Sequence, residues 1–185
     1  SQGPEGLVVA AIPERLTPED CLIMRGNGQP DPSPSGLELE FDLALKKNAV
    51  VGTSSERRRA LLRSFRPDLQ IVPIRGNVPT RLAKLLEGQY DAIVLAAAGL
   101  IRLGHQQDAP SLNLGRFVNL RLDPSVFVPA PAQGALALQC REGDRVIDAV
   151  FPLHDVSTSG PVRAERELLR LVDGGCNLPF GAWCH

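Results

Sequence analysis

Between residues 49 and 104 one local pattern occurs three times: a short apolar run, a tight turn, then apolar residues at helical spacing. Residues 49–51 lead into a helix over about 54–65, residues 69–74 into one over 78–86, and residues 91–95 into a short one ending near Gly104. Pro67 and Asp68 stop the first helix, Pro79 is tolerated in the first turn of the second, and Gly88 ends it. Strands that alternate with helices are joined by crossovers and not by hairpins, so the predicted fold is α/β with a mainly parallel sheet. Such sheets gather functional groups outside the carboxyl ends of their strands. Ser54, Ser55, Arg57, Arg58, Arg75 and Arg81 all follow such ends.

The first junction is the most informative. Val50 and Val51 run into Gly52, a hydroxyl triplet follows at Thr53, Ser54 and Ser55, and then come Arg57, Arg58 and Arg59. A strand–turn–helix junction presents free backbone N–H groups and the positive end of a helix dipole. Hydroxyls and guanidinium groups beside it point to an anion, and to more than one carboxylate or phosphate.

Composition narrows the ligand class. At 43% apolar and 22% charged, the 185 residues are ordinary globular material, and only 4% are aromatic, which leaves a core of Val, Leu, Ile and Ala. A net charge of -1 argues against a nucleic-acid binder. Of 20 basic residues only Lys46, Lys47 and Lys84 are lysines, leaving 17 arginines. Arginine suits planar, bidentate carboxylate recognition, although high-GC codon usage accounts for such an excess equally well. Cys21, Cys140, Cys176 and Cys184 lack metal or redox spacing, and His105, His154 and His185 are scattered, so no metal site is expected. With no leader and no bilayer-spanning apolar run, the chain reads as cytoplasmic with reduced thiols and no membrane partner.

Elsewhere the pattern is looser. Residues 6–12 read as a strand in need of neighbours, 14–21 as a turn or short helix start, and 22–24 as a second apolar run. Residues 26–36 form a proline-rich exposed loop, and 37–47 suit a strand or a helix. After a polar loop at 106–116, residues 117–122, 126–128 and 135–140 look β-like, and the turn 129–134 is stiffened by Pro129 and Pro131. Residues 144–153 have helical spacing, and 157–172 form a stronger helix capped by Thr158 or Ser159 and ended by Gly174 and Gly175. Bland readings cover several residues: Cys21 and Cys140 as buried small hydrophobes, Cys184 as incidental, Arg59, Arg63 and Arg66 as a solvated face, and Glu165 with Arg166 as a surface pair.

Five segments in register go further: Gly52 to Arg58, residues 69–81, residues 90–104, Gln133-Gly134-Ala135, and Gly174-Gly175-Cys176-Asn177-Leu178-Pro179. Together they closely resemble the porphobilinogen deaminase (hydroxymethylbilane synthase) family over nearly the whole chain. The resemblance implies a transferase that condenses four porphobilinogen units into hydroxymethylbilane with release of ammonia, in tetrapyrrole and haem biosynthesis. It implies a covalent dipyrromethane cofactor on Cys176. It implies cofactor and substrate binding by Ser54, Ser55, Arg57, Arg58, Arg75, Arg81, Arg102 and Gln133. It also implies three domains, two of them type II periplasmic-binding-protein-like.

On that basis residues 22–122 make the second, anion-binding domain. Residues 1–21 and 123–153 are pieces of the first, and 154–185 start the third with the cofactor loop. The family's amino-terminal Lys-Asp pair, whose aspartate is the acid/base group, has no match here, and neither Asp91 nor Asp123 replaces it. No catalytic residue is therefore recognisable, and the chain alone is expected to lack turnover. Glu56 replaces a usual apolar residue, Ala132 a usual glycine, and the loop 29–36 is longer than the family's. Three readings follow: part of an enzyme completed by its missing remainder, an anion-binding module without chemistry, or a truncated regulatory relative.

Overall fold

A computed structural model describes residues 5–26, 45–104, 114–172 and 178–185. Cys176, most of the proline-rich loop and most of the 37–47 segment lie outside these residues. The strands are β1 (Leu7–Ala11), β2 (Asp20–Arg25), β3 (Val50–Gly52), β4 (Gln70–Val72), β5 (Ala92–Ala96), β6 (Phe117–Leu122) and β7 (Leu138–Arg141). The helices are α1 (Glu56–Phe65), α2 (Val78–Leu86), α3 (Ala97–Gly104), α4 (Val146–Val150) and α5 (Val156–Leu171).

The main sheet has five strands in the order β4-β3-β5-β2-β6. β3 is parallel to β4 and to β5, whereas β2 is antiparallel to β5 and to β6. Four strands thus share a direction and only β2 is reversed, which is how the mainly parallel α/β sheet is realised. The reversal has a consequence for the site. Asp20, the first residue of β2, lies opposite Ala96 at the end of β5 and Leu122 at the end of β6. An antiparallel strand delivers its amino end to the edge where its neighbours present their carboxyl ends.

Period-two alternation splits the core between the two faces of the sheet. Leu22, Val51, Ala92 and Val94 pack with Leu62 of α1 and with Phe127 on one face. Cys21, Ile23, Ile93 and Leu95 pack with Leu82 and Leu85 of α2 and Leu100 of α3 on the other. Each fully buried leucine contributes about 2 kcal/mol from apolar burial. Both faces are covered, which is why β2 and β5 are apolar almost throughout.

β1 and β7 form a separate two-stranded antiparallel ribbon with an irregularity between Val9 and Ala11. The segment 12–19 carries the chain from this ribbon to β2, and it is laced to α5. Ile12 N–H donates to His154 Nδ1, Asp155 N–H to the Ile12 carbonyl, and Arg15 N–H to Thr158 Oγ1.

Several local expectations need correction. Segment 14–19 contains no helix start, and 126–128 is not a strand, because Phe127 turns into the core under a bend begun at Asp123. β7 occupies only the end of the predicted 135–140 run. Asp155, not Thr158 or Ser159, caps α5: its side chain accepts from Thr158 N–H, and Thr158 and Ser159 are buried inside the helix. Glu165 is not in a surface pair with Arg166. It is fully buried and bound to Arg15. Arg66 is not on a solvated face, since it pairs with Asp68 and donates to the Leu45 carbonyl.

Candidate functional site

The carboxyl edge of the main sheet collects the charged groups. Ser55 caps α1 and accepts from Arg58 N–H at 3.4 Å. Capping turns the first-turn residues Arg57 and Arg58 back over the sheet edge. Ser54 donates its hydroxyl to the Ile74 carbonyl at 2.7 Å and accepts from Ile74 N–H at 3.0 Å, tying the turn after β3 to the chain leaving β4. Glu56, the acidic departure in this motif, pairs with Arg59 one turn along α1 at 3.2 Å.

Arg57 and Arg58 converge on the buried carboxylate of Asp20. Arg57 Nη2 donates to Oδ2 at 2.8 Å, and Arg58 donates to Oδ1 from Nη2 at 2.7 Å and from Nε at 3.1 Å. Gln133 Nε2 adds a bond to Oδ1 at 2.9 Å and one to the Pro18 carbonyl at 2.6 Å, while its Oε1 accepts from Arg57 Nη2 at 3.2 Å. Arg57 Nη1 reaches the Val128 carbonyl, Arg58 Nη1 the Val94 carbonyl, and the Arg57 guanidinium lies 5.9 Å from the Phe127 ring centroid. Arg57 is only 4% exposed, and its Nε is buried without a hydrogen-bond partner. Burial pulls its pKa down from the usual arginine value, and the adjacent Asp20 carboxylate opposes that shift. Two guanidinium groups against one carboxylate leave the cluster with a net positive charge.

The turn carrying Gln133 is held to the same edge. Gly134 has φ +84, and a Cβ there would lie 1.9 Å from the Thr17 carbonyl oxygen, so no other residue fits without moving the turn. Arg102, on α3, donates to the Gly134 carbonyl at 2.8 Å. Ala132 sits at φ +62, a left-handed conformation costly for a residue with a Cβ. Its N–H donates to Glu165 Oε2 at 2.6 Å, which holds it there. Glu165 also accepts from Arg15 Nη1 at 2.8 Å and from Cys184 N–H at 3.0 Å.

Arg75 and Arg81 form a second group beside the amino end of α2. Asn77 caps that helix, Arg81 Nε donates to the Gly76 carbonyl at 2.7 Å, and the exposed Arg75 guanidinium has no protein partner among the described residues. The structure therefore brings Arg57, Arg58 and Gln133 into one cluster, with Arg102 of α3 bonded to the adjoining turn. It places Arg75 and Arg81 at the next strand end, with no hydrogen bond to that cluster among the described residues. Asp20 and Glu165 are the residues that sequence reasoning missed. Glu165 carried a signal, since it follows Val162 by three positions on the buried face of α5.

Such an edge is chemically suited to carboxylates. It offers guanidinium charge, the amino end of α1 and the Ser55 hydroxyl, while Ser54 is committed to Ile74. Among the described residues no helix is long and apolar enough to cross a membrane.

Comparison with known proteins gives the family. The family described as porphobilinogen deaminase, dipyromethane cofactor binding domain, matches residues 1–149. The porphobilinogen deaminase of Syntrophobacter fumaroxidans is 44% identical over 185 residues, covering 98% of this chain and 52% of that protein. That of Bacillus subtilis is 45% identical over 181 residues, covering 97% of this chain and 51% of its own length. The chain spans about half the length of the curated relatives it matches. Among solved structures, an ABC transporter periplasmic binding protein from Brucella ovis with glutathione bound aligns over 83% of this chain and 43% of its own. The identity is 18% and the TM-score 0.47.

Proposed function

The chain belongs to the porphobilinogen deaminase family, and from that premise we propose that it supplies the carboxylate-binding domain and the cofactor cysteine of an enzyme that condenses porphobilinogen into hydroxymethylbilane. In this reading residues 22–122 are the binding domain, residues 1–21 and 123–153 belong to a first domain, and 154–185 begin a third. Cys176 carries the dipyrromethane through a thioether. The reaction belongs to a cytoplasmic compartment where thiols stay reduced.

The observation that carries the reading is the convergence of Arg57 and Arg58 at one sheet edge on a cluster of net positive charge, with Arg102 bonded to the adjoining turn and an Arg75 guanidinium at the next strand end that has no partner among the described residues. This donor set fits a dipyrromethane, whose acetate and propionate groups supply several carboxylates. When bound, that group provides the pyrrole carbon from which the chain of rings grows. The protein's part is to orient carboxylates: Arg75 and Arg81 take one from the α2 side, Arg102 one from the α3 side, and the Ser54–Ser55 turn with Arg57 and Arg58 lies between. Guanidinium groups keep their charge and donate to each ionised carboxylate, so the clamp itself does not titrate near neutral pH.

A second reading, binding without chemistry, has its own support. Asp20 is buried and paired with two arginines, and Glu19 is paired with Arg121, so both acidic residues described at this edge are engaged in ion pairs. The chain alone is accordingly proposed to bind substrate without turning it over, activity requiring the remainder of the enzyme.

Calorimetric titration with porphobilinogen tests both. Binding that weakens about tenfold in Arg75→Ala and in Arg102→Ala supports the site. Binding that ignores both substitutions, or its absence in the unsubstituted protein, contradicts it. Turnover on adding the remainder of the enzyme, abolished by Cys176→Ser, separates the enzyme reading from the binding module.

A further inference from the structure

The arginine pair in the site is not free. Asp20, at the start of the reversed strand, accepts from both guanidinium groups, is fully buried, and accepts again from Gln133, which arrives from the far connection between the two sheets. We propose that Asp20 is the positioning residue of the carboxylate site: it holds Arg57 and Arg58 at fixed angles and lowers the pair's charge to that of one cation, so that Arg58, backed by the buried Arg57, receives a single carboxylate. The inference rests on the reading that this edge binds porphobilinogen.

Geometry separates positioning from simple charge balance. Arg58 places Nε and Nη2 on the same oxygen of Asp20 and Nη1 on the Val94 carbonyl, which fixes the guanidinium plane against the end of β5. Arg57 is fixed equally by Oδ2, the Val128 carbonyl and Gln133. Four parts of the chain meet here: β2, α1, β5 and the 128–133 connection. Arg57 is buried with both Nη atoms bound to protein and Nε covered, so the N–H groups left for a ligand belong to Arg58, and they are aimed by those that are used.

Asp20→Asn gives opposite expectations under the two ideas. It keeps the shape, removes one negative charge and raises the net charge of the cluster. A site that works by charge alone then binds an anion more tightly. A site that works by positioning binds it more weakly, because the new amide N–H groups face guanidinium donors and the planes are released.

The test is calorimetric titration of the protein and its Asp20→Asn form with porphobilinogen, at low and moderate salt and well below the melting transition of each. Circular dichroism confirms an equal folded fraction. The expected result is affinity lower by about tenfold or more in Asp20→Asn. Equal or tighter binding by Asp20→Asn, with the unsubstituted protein binding normally, overturns the positioning role and leaves the functional reading standing. No binding by the unsubstituted protein overturns the functional reading and this inference with it. Should Asp20→Asn fail to fold, nitrogen-detected NMR of the unsubstituted protein decides. The Arg58 Nε–H is expected to stay protected from exchange when porphobilinogen is added. Its release to fast exchange would show that Arg58 leaves Asp20 for the ligand, and would overturn the proposal.

Discussion

β1 and β2 are short strands with apolar centres separated by eight residues, and they have opposite surroundings. β2 is hydrogen-bonded on both sides, and Leu22 and Ile23 are buried on opposite faces beneath helices. β1 has one neighbour, and Leu7 and Val9 are 37% and 49% exposed. Leu136, Phe151 and Leu153 continue the exposed apolar character around the ribbon. A five-stranded sheet covered on two faces carries its own core, whereas a lone two-stranded ribbon is marginal in water. Beyond the burial of Ala11 and Ile12 at its end, polar bonds fasten the segments that flank the ribbon: those of His154 and Thr158 to segment 12–15, and above all Glu165, which joins Arg15, Ala132 and Cys184. The main sheet is thus held by burial on both faces, the ribbon leans more on directional bonds beside it, and the charged site sits on the self-sufficient part.

The sharpest way to break this contrast is at Glu165. Glu165→Ala leaves Arg15 buried without its charge partner and two N–H groups unmet, and is expected to lower stability by about 3–5 kcal/mol. Urea denaturation measures it, and hydrogen exchange should show the ribbon amides opening before those of β2 and β5. A loss spread evenly over both sheets would contradict the contrast.

Next come paired truncations of apolar side chains. Leu22→Ala is expected to cost about 3 kcal/mol because the main-sheet core cannot collapse fully around the gap. Val9→Ala, at the half-exposed ribbon position, is expected to cost under about 1 kcal/mol. Similar losses in the two would mean that the ribbon is covered as well as the main sheet.

A pH measurement sharpens the same point. Burial pushes the Cys21 thiol up to about 11 in the folded protein, against about 8.5 in an unfolded chain. The folded state therefore keeps the proton longer. Relative stability from this residue is intact below about pH 8.5 and is lost as pH rises towards 11, by roughly 2–3 kcal/mol. Unfolding free energies at pH 8 and pH 11 should fall further in the unsubstituted protein than in Cys21→Ala. An equal fall in both would place Cys21 in contact with water.

The smallest expected effect is a gain. Ala132→Gly relieves a left-handed conformation at φ +62 and should raise stability by about 0.5–1 kcal/mol. Thermal melting checks it, and a loss would mean that the Glu165 bond already offsets the strain.

The three strand–helix repeats were legible because each is local: apolar run, cap and helical spacing all fall within one window. The gathering of serines and arginines at the β3–α1 junction was legible for the same reason. The partner of its arginines was not. Asp20 reads locally as part of a turn, and only the reversal of β2 carries it to the carboxyl edge. Strand direction depends on pairing with β5 and β6, far along the chain, and no local pattern encodes it. Glu165 was hidden differently, because its neighbour Arg166 offers a plausible surface partner while the helix turns Glu165 inward to Arg15. The departure from glycine at Ala132 was visible, and its meaning emerged only with the positive φ and the Glu165 bond.

The central claim is that this carboxylate-holding sheet edge serves a pyrrole chain anchored on Cys176. Intact-mass spectrometry of the protein, isolated together with the remainder of its enzyme, tests it most directly. The account predicts a mass excess equal to one dipyrromethane, absent in Cys176→Ser and present in Cys140→Ser. An unmodified mass in the protein from the active enzyme, or an excess that survives Cys176→Ser, would contradict it.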